Sequence, residues 1–370
     1  MEQEQKYKVA IIGGGPAGCM CAYFLQDKFD VTVFDKKSPL STLLPTGGGR
    51  CNLAHAIYDF RELASNYPRG EKFLYSVFSK FSTSDTIEFF ENIGVKTYIQ
   101  DDLRIFPISN SSKDVRERFL NALKKVKFIN EEVIEINSSL KFPLKTNAHS
   151  YKFDYVVVST GGHSTFGIIE ALGHNIIPLK PSLTGLKTKE DFSSLSGVSI
   201  GGILFTHKGV SGPEIYKISS LKAREKFPYR LNFDFSGGID LQEMLNSNPH
   251  KSIKNLLAEV VPKSFSQFLL NNLNIDTERK CHTIDGKTRD CILNKLQNFE
   301  ITAEGTIPDS EVVMSGGVDL NEINPKTMES KIVSGIYFCG EVLDIDGFCG
   351  GFNLQNCWST GFVAAQGIIH

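Results

Sequence analysis

The first apolar run of the chain is Val9-Ala10-Ile11-Ile12, four residues without polar alternation. Such a run predicts a short strand buried on both faces, as in a parallel sheet. It breaks at Gly13-Gly14-Gly15-Pro16, and apolar residues then return through Leu25. Proline suits the first turn of a helix, so the pattern predicts a helix from Pro16 to about Lys28. "DVTVFD" (30–35) reads as a second strand. "STSDTIEFFENIG" (82–94) and "SSKDVRERFLNALKKV" (111–126) have helical periodicity. The second places Val115, Phe119 and Leu123 at i, i+4, i+8. "KFINEEVIEIN" and "SYKFDYVVVST" predict strands that complete this first unit.

From about residue 185 the pattern changes. "GLKTKEDFSSLSGVSIGGILFTHKG" and "YRLNFDFSGG" are short strands separated by turn residues, as in a small barrel or sandwich. From Asp240 to Phe299 apolar stripes such as "FSQFLLNNL" and "CILNKLQNF" predict helices, and "EVVMSGGVDL" returns to strand. A β-to-α-to-β switch of this kind predicts a nested insertion. The expected segments are 1–184 and 314–370 for one domain, 185–240 and 299–313 for a β-barrel domain, and 241–298 for a helical insertion.

The opening pattern also carries chemistry. Gly13, Gly15 and Gly18 form G-x-G-x-x-G between the first strand and its helix, and Asp35 ends the second strand. The glycines permit a tight turn, close approach of a pyrophosphate, and close helix–strand packing, and the acid suits an adenosine ribose. Dinucleotide binding follows. A second strand-and-glycine unit, "FDYVVVSTGG", ends in Thr160-Gly161-Gly162. A third, "SGIYFCGEVLDIDGFCGGFNLQNCW", contains Gly340-Glu341 and then Gly350-Gly351 opening a helix. An NAD domain has no need of a strand–Gly–acid unit so far downstream. FAD does, because its ribityl chain and ring need partners of their own, and a helix N-terminus stabilises charge on a reduced flavin.

Net charge is −2, which gives no electrostatic case for nucleic acid as a partner. No apolar run approaches membrane-spanning length. The eight cysteines form no C-x-x-C pair and no metal-like spacing, so no metal site is expected. With no secretory leader in "MEQEQKYKVAIIGGGPAG", a cytoplasmic protein with free thiols is expected.

"TGGGRCN" (46–52), "LRIFPIS" (103–109), "LFTHKGVSGP" (204–213), "NPKTMESK" (324–331) and "GIYFCGEVLDIDGFCGGFNLQ" (335–355) resemble the BaiN-like (YhiN) flavoproteins. These are NAD(P)/FAD-dependent oxidoreductases, also labelled aminoacetone oxidase family proteins. The resemblance spans nearly the whole chain. It implies an α/β fold: a glutathione-reductase-like Rossmann FAD-binding domain made of both chain ends, with a small β-barrel domain and a helical insertion between them.

The resemblance implies non-covalent FAD, with Gly13, Gly15, Ala17 and Gly18 at the pyrophosphate and Asp35 at the ribose. Lys36 and the backbone of Val133 would border the adenine. Gly49, Arg50, Cys51 and Asn52 would line the cleft with Thr160 and Gly161. Gly340 and Glu341 would meet the ribityl chain, and Gly351, Phe352, Asn353 and Leu354 the flavin ring. The chain departs from the family at "SPLSTLL", at Leu103 where glycine is usual, and after Gly162, where a longer loop is missing.

Two readings of activity follow from the resemblance, and a third, from a different class, stands beside them. One is NAD(P)H-driven reduction of a small or sterol-like activated C=C bond. The second is oxidation of a small amine. The third is a non-catalytic flavin module that senses redox state or binds a partner. With a single G-x-G-x-x-G, any NAD(P)H would bind transiently over the flavin. A small-molecule substrate is expected, without nucleic acid or membrane, and the oligomeric state is left open. His207 is the candidate proton donor, on the expectation that the inserted region caps the flavin's open face. Its alternative is a structural loop residue. Cys51 reads as a small residue in a tight loop, with a redox or covalent partner of the flavin as the alternative, Arg104 as a contact to an anionic substrate or the flavin or else a surface ion pair, and His163 as a neighbour of the cofactor.

Overall fold

Five parallel strands form the centre of the Rossmann-like part: β1 (Lys8–Ile12), β2 (Asp30–Phe34), β3 (Lys127–Ile129), β4 (Tyr155–Val158) and β5 (Ile336–Phe338). Their order is β5–β4–β1–β2–β3. Val9 pairs with Val31 of β2 on one side and Tyr155 of β4 on the other. The order reverses at β1, and open sheets of this kind bind ligands outside the carboxyl ends of the strands at such a reversal. The computed structural model describes residues 6–139, 141–162, 166–310 and 312–370. It divides into two units, Met1–Lys180 with Val313–His370, and Pro181–Val312.

In the first unit, helix α1 (Pro16–Leu25) follows β1, and helix α2 (Phe352–Ile369) ends the chain. Residues 17–22 of α1 are all buried, which fits a helix covered on every side. Small residues set how closely the two helices pack. A Cβ on Gly361 would collide with the Ala17 carbonyl, and one on Gly340 would lie 2.7 Å from the Ala17 Cβ. Trp358 of α2 is fully buried, and its indole donates to the Leu53 carbonyl at 2.9 Å. The two ends of the chain thus share one core.

Two expectations change. Helix α1 stops at Leu25, not Lys28, because the Leu25 carbonyl accepts from both Lys28 and Phe29 and closes the turn. "KFINEEVIEIN" splits. Its first part, β3, joins the parallel sheet, while Val133–Ile136 pairs antiparallel with Pro143–Thr146. Ile134 and Glu135 are exposed, a pattern that a strand buried on both faces cannot accommodate.

In the second unit the strands form one six-stranded antiparallel sheet. The order is Ser199–Ile200, Ile203–Thr206, Gly209–Ser211, Leu186–Thr188, Phe299–Thr306 and Tyr229–Phe233. Helices Leu241–Ser247, Ile253–Leu257, Lys263–Asn272 and Gly286–Gln297 follow within the expected helical stretch. This unit has its own core, in which Phe265 packs 5.1 Å from Phe299 and 5.7 Å from Phe205. A further helix, Pro213–Leu221, has Gly212 as its N-cap.

Candidate functional site

The glycines of the fingerprint divide by cause. Gly13 has φ +105° and Gly18 sits against the Gly13 carbonyl and Ser159, so neither position has room for a side chain. Gly15 differs. It is the N-cap of α1 with φ −77°, and a Cβ there would find only Thr42 Oγ1, at 3.8 Å. Neither backbone strain nor packing requires glycine at 15. The open space lies where unpaired helix N–H groups gather, which is what a pyrophosphate needs. Ala17 is buried in the first turn.

Asp35 is oriented by the chain itself. Its Oδ2 accepts from Gly14 N at 2.7 Å and its Oδ1 from Lys37 N at 2.7 Å. Both oxygens keep lone pairs for ribose hydroxyls. Lys36 pairs with Glu132 at 2.8 Å, both side chains nearly half-exposed. Val133 is buried at the start of the antiparallel strand. Thr160 and Gly161 follow β4, and Gly161 has φ +75° with nothing near its Cβ position. His163 lies outside the described residues.

The run Thr46–Gly49 is a tight turn in which Gly47, Gly48 and Gly49 have φ of 58°, 67° and 84°. Left-handed backbone explains the glycines, and Gly48 has nothing within 4 Å of its Cβ position. Next, the Arg50 guanidinium lies 4.2 Å from the Phe106 ring centroid. Cys51 is fully buried, and burial pushes its thiol up to about 12, which suits a packing residue rather than a nucleophile. Asn52 is also buried, yet its Oδ1 has no hydrogen-bond partner among the described residues.

At the other chain end, Gly340 and Glu341 form the turn after β5. Glu341 is half-buried by surface, yet sits so deep among protein atoms that its carboxyl is pushed up to about 7. Burial is the main cause, and the Asp346 carboxylate adds to it. Asp346 is fully buried and held bidentately by Arg69. Gly351, the N-cap of α2, has φ +99° and lies against Ala54 and Asn52. Phe352 turns inward, 3 % exposed, so any contact of residue 352 with a ring would be made by its backbone. Asn353 is occupied by Gly347, accepting from its N–H at 2.8 Å and donating to its carbonyl at 2.9 Å. Leu354 is half-buried.

An open cradle at Gly15, a carboxylate aimed by backbone amides, and an orphaned amide oxygen against a helix N-cap fit the phosphate, ribose and ring of FAD respectively. Among the described residues no group of three His, Cys, Asp or Glu could hold a metal ion.

His207 belongs to the second unit. It occupies the two-residue turn between strands Ile203–Thr206 and Gly209–Ser211, exposed, beside a cavity of about 690 Å³. Lys187, Lys189, Glu190, Phe192 and Pro308 also line that cavity. Arg104 pairs with Asp102 at 2.6 Å.

Sequence reasoning missed three participants. His55 stacks on Phe352, centroids 4.7 Å apart, with Nδ1 3.0 Å from the Gly350 carbonyl. A carbonyl only accepts, so Nδ1 carries the proton and Nε2 is left as an acceptor unless the ring is charged. Tyr67 donates to the Phe352 carbonyl at 2.5 Å. The third is the Arg69–Asp346 pair. The one available signal was His55 itself, three residues beyond Asn52 in "RCNLAH".

The sequence matches the HI0933-like protein Rossmann domain over residues 7–367, which is nearly its whole length. The chain belongs to the HI0933-like family. It is an FAD-dependent oxidoreductase with a Rossmann-like FAD-binding fold. A ribosomal RNA dihydrouridine synthase of Escherichia coli (strain K12) is 28 % identical, covering 99 % of this chain and 98 % of that protein. A 3-dehydro-bile acid delta(4,6)-reductase of Clostridium scindens is 26 % identical, covering 97 % and 98 %. Among solved structures, the Mycobacterium smegmatis Sdh1 complex in the apo form aligns with a TM-score of 0.51 at 14 % identity. That alignment covers 98 % of this chain and 67 % of the other, a likeness of fold alone. Among the described residues of this family member, no helix is long and apolar enough to cross a membrane.

Proposed function

We propose that this HI0933-like protein uses NAD(P)H and bound FAD to reduce a carbon–carbon double bond conjugated to a carbonyl, and that the substrate is a uracil base in RNA. The observation that carries the reaction class is the shared chemistry of its full-length relatives. Dihydrouridine formation and bile acid Δ4,6 reduction, the reactions in their names, both saturate a conjugated C=C. The choice of uracil rests on the E. coli name and on that of a Haemophilus influenzae relative, 28 % identical over 97 % of each chain. A sterol-like enone is the second reading, favoured by the C. scindens name. The near-neutral total charge does not oppose RNA, because binding depends on local charge rather than on the sum.

FAD, when bound, would supply the two-electron carrier between NAD(P)H and substrate. The chain's part is positional. Gly15 and the N-terminus of α1 would receive the pyrophosphate, Asp35 the ribose, and Glu341 the ribityl hydroxyls. Asn52 Oδ1 and the backbone at Gly351 would border the ring. Reduction of a conjugated C=C delivers a hydride to the β-carbon and a proton to the α-carbon, so a proton donor is also needed. We keep His207 as that donor, with His55, beside the N-cap of α2, as the competing imidazole.

The test is anaerobic mixing of the holoprotein with NADH or NADPH, then with unmodified ribosomal RNA or a sterol enone. Bleaching by a nicotinamide, followed by reoxidation with RNA and gain of two hydrogens on a uridine, supports the reading. Reoxidation only by the enone selects the second reading.

A further inference from the structure

The cavity beside His207 is lined entirely by the second unit, and its volume of about 690 Å³ is in the range of small-ligand sites. Lys187, Lys189 and Lys208 line it, all of them exposed. Among the described residues none of the three is in an ion pair. Two carboxylates, Glu190 and Asp191, line it as well. Glu190 accepts from Thr302 N with both oxygens, at 2.9 and 3.2 Å. Asp191 Oδ1 accepts from the Ser193 hydroxyl and, at 2.8 Å, from Ser193 N. Its Oδ2 has no donor among the described residues.

The sheet places the lysines. Leu186 and Val210 are buried in the core, so Lys187 stands on the outer face of its strand. Its partners on the two adjoining strands are Gly209 and Gly305. Gly209 is required, because its φ is +139° and a Cβ would strike the Leu186 carbonyl. Gly305 is not required. Its backbone is not left-handed, and nothing lies within 4 Å of its Cβ position. The flank of Lys187 is therefore open where neither backbone nor packing asks for it, as at Gly15. The pairing register shifts between Lys187 and Thr188, a bulge of the kind that re-aims side chains beside sites. Lys208 lies in the hairpin turn. Thr206 Oγ1 pins that turn, accepting from Lys208 N at 3.3 Å and donating to the Gly209 carbonyl at 3.1 Å.

We propose that this cavity binds a ribonucleotide unit, with its phosphate on Lys187, Lys189 and Lys208 and its ribose hydroxyls on Glu190 and Asp191. A bare anion would meet the two carboxylates as like charges. A neutral ligand would displace water from three ammonium groups without replacing it. A phosphorylated ribose satisfies both sets, since an ammonium only donates and a carboxylate only accepts. Phe192, Ile307 and Pro308 supply the apolar part of the lining, against which a base can lie. Two sources carry such a unit: NADPH, through its adenosine 2′-phosphate, and RNA. Both sources rest on the proposed reaction, NADPH as its donor and RNA as its substrate, whereas the site rests on its lining alone.

Isothermal titration of the holoprotein tests this. Adenosine 2′,5′-bisphosphate represents the NADPH source, a pentauridine RNA the other, and adenosine is the phosphate-free control. Saturable binding of at least one phosphorylated probe is expected, with none of adenosine at the same concentration. The probe that binds names the source, and two probes that displace each other share the site. Lys187→Glu with Lys208→Glu is expected to weaken binding about tenfold or more. Asp191→Asn is expected to weaken it about tenfold through the lost hydroxyl acceptor, where simple anion attraction would tighten it. Lys287→Glu, on the same unit but outside the lining, is expected to change nothing. Full FAD content and an unchanged melting temperature in each variant verify the fold. The site is overturned if neither phosphorylated probe binds, if adenosine binds equally well, or if the double variant binds normally. It is also overturned if Lys287→Glu causes an equal loss, or if Asp191→Asn leaves binding unaltered or tighter. Dihydrouridine formation in unmodified ribosomal RNA judges the reaction separately. If the wild type forms it while no probe binds here, the site is wrong and the reaction stands. If a probe binds here and no dihydrouridine forms, the site stands and the reaction is wrong.

Discussion

Asn52 Oδ1 lies 2.9 Å from where a Cβ on Gly351 would stand, buried and without a hydrogen-bond partner among the described residues. The two residues are nearly three hundred positions apart, and together they border the start of α2. An unsatisfied buried oxygen costs about 1–3 kcal/mol. Asn52→Ala should therefore leave the flavin-free protein no less stable, while the purified protein retains less FAD. Comparing flavin content with melting of the stripped protein checks both halves. Lower stability of the stripped variant with full flavin content would contradict the assignment.

Gly15 and Gly18 should behave in opposite ways. Gly15→Val has space among protein atoms, so the variant should fold and purify without FAD. Gly18→Val drives a branched side chain into the Gly13 carbonyl and should not yield folded protein. Absorbance at flavin wavelengths, beside circular dichroism, separates the two outcomes.

Much of this was legible in the chain. The buried run 9–12, the glycines, Pro16 and Asp35 are local signals, each tied to one strand, one turn or one helix end. What stayed hidden is long-range. Nothing in the local pattern says that Val133–Ile136 leaves the parallel sheet, or that Arg69 will neutralise Asp346 across 277 residues of sequence. Phe352 and Asn353 could be placed at the start of a helix, but not turned away from its mouth. Leu103 sits where the family usually has glycine, and its φ of 64° shows that the left-handed conformation persists without it.

Glu341 gives a pH dependence. Burial and Asp346 hold its carboxyl at about 7 in the folded protein, against 4.5 ordinarily. Between those values the unfolded chain releases its proton first, so stability falls as pH rises through that window. The penalty is absent below about 4.5 and complete above about 7, on the order of 3 kcal/mol. Flavin-free Glu341→Gln should be more stable than wild type at pH 8 and equal to it at pH 4. The variant should also bind FAD more weakly. Melting curves at both pH values, with flavin titration, check this.

The two imidazoles can be told apart. His207→Ala should slow turnover about 10²–10⁴-fold with FAD still bound if it supplies the proton. His55→Ala should instead alter flavin binding or the flavin spectrum, because His55 touches Phe352 and Gly350. A change below tenfold for His207→Ala, with a large loss of turnover at His55→Ala and FAD retained, would reassign the proton donor to His55.

The central claim is tested most directly by mass spectrometry of ribosomal RNA lacking dihydrouridine, after anaerobic incubation with the FAD-loaded protein and NADPH or NADH. The account predicts a gain of two hydrogens at a defined uridine, dependent on both protein and nicotinamide. Unaltered RNA, from protein whose flavin is demonstrably reduced by that nicotinamide, would contradict it.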